Sequence, residues 1–111
     1  MKHLITGGSG FLGNLIMQQL LADGEEVKIL DLWKSYNHPN DVEYINCDIR
    51  DRDGVRKAMK GIDIVHNNVA LVPLTKSGKL FWDVNVNGSK IAAEEAIKSG
   101  VNGFIHISSS A

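Results

Sequence analysis

The sequence predicts an α/β fold whose core is a doubly wound parallel sheet of five strands in the order 3-2-1-4-5. Short apolar runs alternate with helical patterns along the 111 residues, which is typical of parallel strands joined by helices. A glycine cluster directly follows the first apolar run, as in nucleotide-binding sheets. Because crossovers between parallel strands are right-handed, this alternation favours the stated strand order.

Five segments predict the strands, since each is a short apolar run bounded by polar or glycine residues. They comprise residues 3–6, 26–31, 42–49, 62–66 and 103–107. In the fourth segment, the β-branched residues Ile64 and Val65 favour extended structure.

Helical spacing predicts a first helix over residues 11–23. Its apolar face is formed by residues three and four positions apart, namely Leu12, Leu15, Ile16 and Leu20. Gly24 is well placed as the residue that caps the carboxyl end of this helix.

Two further helices are predicted. One starts near Asp51 and Asp53 and ends at Gly61, with an apolar side of Val55, Ala58 and Met59. The other covers residues 83–99 and closes at Gly100, with one stripe that contains Val84, Gly88, Ile91, Ala92 and Glu95.

Composition and charge exclude several classes of function. Twelve Lys and Arg stand against thirteen Asp and Glu, so a net charge of −1 gives no reason to expect nucleic acid or an anionic membrane as a partner. No apolar run approaches the roughly 18 residues that cross a bilayer.

Cys47 is the single cysteine, which agrees with a cytoplasmic location. The spacings of Cys47 and the four histidines match no zinc pattern, so no metal site is expected.

The glycine-rich residues 6–13 predict a phosphate-binding turn between the first strand and the first helix. In this setting Gly7 allows a sharp turn, Gly10 lets the backbone approach a pyrophosphate, and Gly13 lets the helix pack against the strand. Phosphates would lie at the free N–H groups of the helix amino terminus. An ordinary tight turn is the alternative interpretation.

Asp31 favours the nucleotide interpretation, because it ends the second strand at about 20 residues past the glycines. A carboxylate there accepts hydrogen bonds from the adenosine ribose hydroxyls of NAD and repels the 2′-phosphate of NADP. We therefore expect NAD as the cofactor.

These motifs resemble the extended short-chain dehydrogenase/reductase superfamily, in particular its NAD-dependent epimerase/dehydratase branch. Residues 6–13 are similar to the family pattern Thr-Gly-x-x-Gly-x-x-Gly, which implies cofactor contacts at Gly7, Gly10, Phe11, Leu12 and Gly13. Residues 47–51 resemble the family segment Gly-Asp-Ile-Arg-Asp, with Cys47 in place of glycine. The resemblance implies that Asp48 contacts the adenine amino group and that Ile49 lines the adenine pocket.

Three later segments extend the resemblance over almost the whole chain. Residues 66–70 resemble the His-x-Ala-Ala segment, which implies that Asn68, Val69 and Ala70 pass beside the nicotinamide ribose and the pyrophosphate. Residues 83–89 resemble the Asn-Val-x-Gly-Thr helix, which places its structural asparagine at Asn85. Residues 104–111 resemble the strand that supplies a catalytic Ser or Thr, which implies Ser109, with Ser110 as the alternative register.

The resemblance implies hydride transfer to NAD and a Tyr-x-x-x-Lys pair as general acid/base. Four residues after the tyrosines, Tyr36 and Tyr44, stand Asn40 and Asp48 instead of lysine. We therefore expect residues 1–111 to be the NAD-binding, amino-terminal part of a longer epimerase or dehydratase for a nucleotide sugar, inactive alone. A stand-alone nucleotide-binding module and a hydroxysteroid-type dehydrogenase are the alternatives. The resemblance also implies a homodimer through the helix at residues 83–99.

Overall fold

The computed structural model of the chain describes residues 1–7, 11–32, 42–68 and 87–106. Within these ranges the strands are β1 (Lys2–Thr6), β2 (Glu26–Asp31), β3 (Glu43–Asn46), β4 (Ile64–Asn67) and β5 (Gly103–His106), and the helices are α1 (Phe11–Ala22), α2 (Arg52–Ala58) and α3 (Ser89–Ser99). The strands form one sheet in the order β3-β2-β1-β4-β5, with every adjacent pair parallel. The predicted fold class and strand order are confirmed.

Apolar side chains on the two faces of the sheet form two core layers. On one face, Ile5 of β1 packs in a cluster with Met17 of α1. On the other face, Leu4 packs in a cluster with Val55 of α2 and Ala92 of α3. Because successive strand residues point to opposite faces, β1 supplies both layers. Helix α1 therefore covers one face, and α2 and α3 cover the other.

Glycines end α1 and α3 as predicted. Gly24 and Gly100 have φ angles of 80° and 74°, in the left-handed region that favours glycine. After α1, the Gly24 N–H donates to the Leu21 carbonyl at 3.0 Å and the Glu25 N–H donates to the Leu20 carbonyl at 3.0 Å. These two bonds form a Schellman motif, which satisfies carbonyl groups left free at the end of the helix.

The predicted apolar face of α1 is wrong in part. Leu12 and Leu15 are 41% and 46% exposed, whereas Met17 is fully buried and Ile16 and Leu20 pack partly against the core. Apolar residues occur on more than one side of this helix, so their spacing alone does not select the buried side. Contact with the sheet selects the side that carries Met17.

Several boundaries also differ from the predictions. Strand β3 ends at Asn46, because the chain turns after Cys47 and the Asp51 N–H bonds to the Asp48 carbonyl at 2.9 Å. Helix α2 ends at Ala58, before the predicted Gly61, which lies in the following turn with a φ of 73°. A π-type turn at residues 87–88 precedes α3. Residues 83–86 and 107 of the predicted elements lie outside the described residues.

Cys47 is buried between the end of β3 and α2. A Cβ atom on Gly54 would lie 2.4 Å from the Cys47 sulfur, which is closer than packed atoms allow. The thiol therefore fits because residue 54 is glycine. Burial, together with the negative charges of Asp51 and Asp48, raises the pKa of Cys47, so the thiol stays protonated and is a poor nucleophile.

Glu95 is fully buried on the predicted inner stripe of α3. Its carboxylate pairs with Arg52 at 2.8 Å and with Arg56 at 3.0 Å, and both arginines belong to α2. Hydrogen bonds from Arg56 and Arg52 lower the pKa of Glu95. Because a charge without partners is costly to bury, this pairing constrains how α2 and α3 pack together.

Two histidines join β1 to β4 on the side of the sheet that α1 covers. His3 Nδ1 and His66 Nε2 are 2.9 Å apart, and the rings are stacked with their centroids 5.1 Å apart. His3 Nε2 lies 3.3 Å from a carboxylate oxygen of Glu25. Burial and the proximity of His3 lower the pKa of His66, so its neutral form is favoured.

We expect acidification from about pH 7.5 to about pH 5.5 to destabilise the fold through His66. Its pKa in the folded chain lies below the unfolded value of about 6.5, so the unfolded chain binds more protons in this range and the free energy of unfolding falls. Urea unfolding at the two pH values measures the change. The variant His66→Gln does not titrate and should show a weaker pH dependence, and an equal dependence in both proteins would contradict the assignment.

Candidate functional site

The carboxyl ends of the parallel strands meet at one edge of the sheet. This edge carries Thr6 and Gly7 at the end of β1, Asp31 at the end of β2 and Asn67 at the end of β4. In open α/β sheets, ligands bind outside these ends, where the strand order reverses. The reversal here lies between β1 and β4. Groups at these two strand ends therefore form the candidate site.

The chain leaves β1 through a sharp turn at Gly7. Its φ angle is 68°, which a residue with a Cβ atom adopts only at a cost. The Gly7 N–H donates to the Leu30 carbonyl of β2 at 2.9 Å, which fixes the start of the turn against the sheet. Helix α1 begins shortly afterwards at Phe11, and its Gly13 is buried. The amino terminus of α1 therefore comes soon after Gly7 along the chain, which is the order that an anion-binding turn requires.

Asp31 is held at the edge through its backbone. Its carbonyl accepts hydrogen bonds from the Tyr44 hydroxyl at 3.0 Å and from the Cys47 N–H at 3.1 Å. Its carboxylate accepts the Leu32 N–H at 2.7 Å. The half-buried carboxylate thus has a defined position at the end of β2.

Asp48 follows β3 and forms a close ion pair with Arg50. Arg50 Nη2 lies 2.6 Å from one carboxylate oxygen, and Arg50 Nε and the Arg50 backbone N–H lie 3.0 and 2.9 Å from the other. These hydrogen bonds lower the pKa of Asp48, so its carboxylate stays ionised well below neutral pH.

Ile49 is buried against the turn that leads into α3. A Cβ atom on Gly88 would lie 2.5 Å from Ile49 Cγ2, so only glycine permits this approach. Gly88 itself has ordinary helical backbone angles, φ −61° and ψ −45°. Close packing, rather than backbone conformation, therefore requires glycine at residue 88.

A network of side-chain hydrogen bonds joins the ends of β1, β4 and β5 to the start of α3. The Thr6 hydroxyl donates to the Asn67 carbonyl oxygen at 2.7 Å and accepts the Asn68 N–H at 3.1 Å. Asn67 Nδ2 lies 3.0 Å from the Ser89 hydroxyl and 3.0 Å from His106 Nδ1. Thr6 and Asn67 are fully buried, so these bonds satisfy polar groups that have lost contact with water.

The structure places the described site candidates at or beside this edge. They are Gly7, Phe11, Leu12, Gly13, Asp31, Asp48, Ile49 and Asn68. The remaining candidates lie outside the described residues, namely Gly10, Val69, Ala70, Asn85, Ser109 and Ser110. Leu12, on the first turn of α1, is exposed, whereas the adjacent Gly13 is buried.

Three residues that shape this edge were not among the predicted site residues, although Gly88 was predicted on the inner stripe of the last helix. Arg50 pairs with Asp48, Gly88 admits Ile49, and Asn67 organises the network. Arg50 and Gly88 both stand within segments that matched family patterns, so their position was a usable signal. Asn67 also stands in a matched segment, residues 66–70, but its burial was not indicated, because an asparagine at the end of a strand also suits an exposed turn.

Among the described residues, no group of three or more His, Cys, Asp or Glu side chains is arranged to hold a metal ion. No helix in the described ranges combines the length and the apolar character needed to cross a bilayer.

Comparison with known proteins gives one family match, to the 3-beta hydroxysteroid dehydrogenase/isomerase family over residues 4–111. Protein y4nG of Sinorhizobium fredii, described as uncharacterized, is 46% identical over 97% of this chain and 27% of its own length. Human sterol-4-alpha-carboxylate 3-dehydrogenase, decarboxylating, is 33% identical over 95% of this chain and 28% of its own length.

The fold also matches solved structures. UDP-glucose 4-epimerase from Thermus thermophilus, solved in complex with NAD, is 33% identical, with a TM-score of 0.85 over 94% of this chain and 36% of the epimerase chain. The chain therefore spans between 27% and 36% of the length of these three proteins. Sterol dehydrogenases and a nucleotide-sugar epimerase are thus both similar to this chain over nearly all of its length.

We expect Gly88→Ala to destabilise the fold. Residue 88 is the N-cap of α3, where alanine is not favoured over glycine, and overpacking typically costs about 1–3 kcal/mol, so the net loss should be about 1–3 kcal/mol. Chemical denaturation of the wild type, Gly88→Ala, Ile49→Ala and the double variant measures it. In the Ile49→Ala background the added methyl group should no longer destabilise. If Gly88→Ala stabilised the fold in the wild-type background, the Ile49 side chain would have moved aside at no cost in stability.

Proposed function

Because this chain belongs to the 3-beta hydroxysteroid dehydrogenase/isomerase family, within the short-chain dehydrogenase/reductase superfamily, we propose that it is the NAD-binding portion of an enzyme that oxidises a secondary alcohol. The observation that carries this proposal is that two features lie on neighbouring strands at the carboxyl edge of the sheet. A left-handed glycine turn at Gly7 leads towards the amino terminus of α1, and a carboxylate, Asp31, ends the neighbouring strand β2.

These residues fit a dinucleotide chemically. The turn after Gly7, with Gly10 and the amino terminus of α1 with Phe11, Leu12 and Gly13, would hold the pyrophosphate through backbone N–H groups. Asp31 would accept hydrogen bonds from the adenosine ribose hydroxyls and disfavour a 2′-phosphate, which supports NAD over NADP. When bound, NAD would supply the hydride acceptor for oxidation of the substrate carbon that carries the hydroxyl group.

The adenine and nicotinamide ends of NAD would contact residues that follow β3 and β4. Asp48, kept ionised by Arg50, would accept from the adenine amino group, and buried Ile49 would form the apolar wall of that pocket. Asn68 at the end of β4 would lie towards the nicotinamide ribose, with Val69, Ala70 and Asn85 assigned by the family pattern alone.

Tyr44 does not supply the acid/base group. Its hydroxyl donates to the Asp31 carbonyl at 3.0 Å, and burial together with the Asp31 charge raises the pKa of Tyr44. Acid/base catalysis near neutral pH needs a tyrosine whose pKa is lowered instead. Ser109, with Ser110 as the alternative, stays the predicted catalytic serine. The prediction that the chain alone is inactive is supported by the lack of a Tyr-x-x-x-Lys pattern in residues 1–111.

The substrate has two candidates. A hydroxysteroid is supported by the matched family and by the human relative, whose name specifies a sterol 3-dehydrogenase. A nucleotide sugar, the sequence-based expectation, is supported by the 33% identity to an epimerase named for UDP-glucose. The homodimer through the helix at residues 83–99, the cytoplasmic location and the extent of the domain at 1–111 stay predictions.

We expect Asp31→Ala to weaken NAD binding by about 1–3 kcal/mol, because it removes a charged hydrogen-bond acceptor for the ribose hydroxyls. Isothermal titration with NAD and NADP measures both affinities, and the variant should also lose preference for NAD. Glu26→Ala, at the opposite end of the same strand, is the matched control and should bind as the wild type does. Unchanged affinity in Asp31→Ala, or tighter binding of NADP by the wild type, would overturn the assignment.

We expect no turnover when the chain alone is given NAD with 3β-hydroxysteroids or with UDP-sugars. NADH absorbance reports oxidation of the steroids, and chromatography of the sugars reports epimerisation. Robust turnover of either class would refute the requirement for a Tyr-x-x-x-Lys pair and would also identify the substrate class.

A further inference from the structure

Asn67 is fully buried, and both N–H groups of its amide have a hydrogen-bond partner. Its carbonyl oxygen accepts the Thr6 hydroxyl at 2.7 Å. Its nitrogen donates to the Ser89 hydroxyl at 3.0 Å and faces His106 Nδ1 at 3.0 Å. One side chain on β4 therefore contacts β1, β5 and the first residue of α3.

The direction of these bonds follows from the number of protons available. The Thr6 hydroxyl has one proton and accepts the Asn68 N–H at 3.1 Å, so within the described residues its proton goes to Asn67. The reverse orientation of the Asn67 amide would leave that proton without an acceptor in this network. The Asn67 nitrogen must then point towards Ser89 and His106.

This direction determines the state of His106. An amide nitrogen only donates, so the ring nitrogen that faces it must be an unprotonated acceptor. His106 Nδ1 therefore carries no proton, and the proton of the neutral ring lies on Nε2. A histidine protonated on both nitrogens cannot make this bond.

We propose that Asn67 is a positioning residue, which holds the carboxyl ends of β1, β4 and β5 in one arrangement and fixes His106 in the Nε2–H tautomer. Gly7 follows Thr6 directly, and Ser109 follows His106 closely in sequence. Asn67 thus couples the glycine turn to the strand that leads to the predicted catalytic serine. The functional part of this inference rests on the proposed NAD site, whereas the tautomer does not.

Histidine nitrogen NMR tests the tautomer directly. In protein labelled with ¹⁵N-histidine, long-range ¹H–¹⁵N correlations above the usual histidine pKa of about 6.5 distinguish Nδ1 from Nε2 protonation. The variant His106→Gln identifies the His106 signals. The wild type should show an unprotonated Nδ1, and a proton on Nδ1 would overturn the proposal without any variant of Asn67.

Asn67→Asp is the decisive variant, because a carboxylate only accepts hydrogen bonds. It should move the His106 proton to Nδ1. Asn46→Asp makes the same change at the end of β3, where Asn46 Nδ2 instead bonds to the Leu32 carbonyl, and it should leave the His106 tautomer unchanged. An Nε2–H tautomer that persists in folded Asn67→Asp would overturn the proposal.

NAD affinity tests the positioning role. Asn67→Ala should weaken NAD binding by at least about fivefold, the lower end of typical coupling between linked groups, although Asn67 is not among the predicted cofactor contacts. Unchanged affinity in this variant would overturn that role. A wild-type chain that binds no NAD would instead overturn the proposed function, and the His106 spectra would still decide the tautomer.

Discussion

The central position of β1 between β2 and β4 is the constraint on which the rest of the structure depends. Each residue of β1 from Lys2 to Thr6 has a partner on β2, and His3 to Thr6 also have partners on β4. This register sets Thr6 between Leu30 and Asn67. The turn at Gly7 can then bond to the Leu30 carbonyl, while the Thr6 hydroxyl reaches Asn67. A slip of one residue would exchange the two core faces and break both contacts.

The fold could be predicted from local patterns because the strands of a parallel sheet that is buried on both faces are short apolar runs, which are easy to recognise in the sequence. Strand β2 was predicted over its observed bounds, and the glycines at 24 and 100 correctly marked the ends of α1 and α3. The buried side of α1 could not be predicted, because that helix is apolar on several sides and only contact with the sheet selects Met17. The end of β3 depended on a turn at Asp48 that residue propensity does not reveal.

The candidate site was predictable where a single residue type carries the requirement. A positive φ angle demands glycine at residue 7, and Asp31 lies at the end of β2, where the sequence predicts a carboxylate. Contacts between distant segments were not predictable, because they depend on register. Buried Lys28 is one example: it interrupts an apolar strand, yet its ammonium group lies 3.2 Å from Glu43 on β3 and 3.3 Å from the Ala58 carbonyl. Asn67 is another, since its partners lie on three other elements.

The contact between Cys47 and Gly54 has a consequence for how this sequence can change over time. The space beneath α2 holds one side chain, and the Cys47 thiol fills it from just after β3 while residue 54 contributes none. A larger residue at 54 becomes tolerable only after residue 47 has shrunk, for example to the glycine of the family pattern. The opposite order passes through an overpacked intermediate. The two positions are therefore expected to vary together, in one order of substitution, among descendants of this sequence.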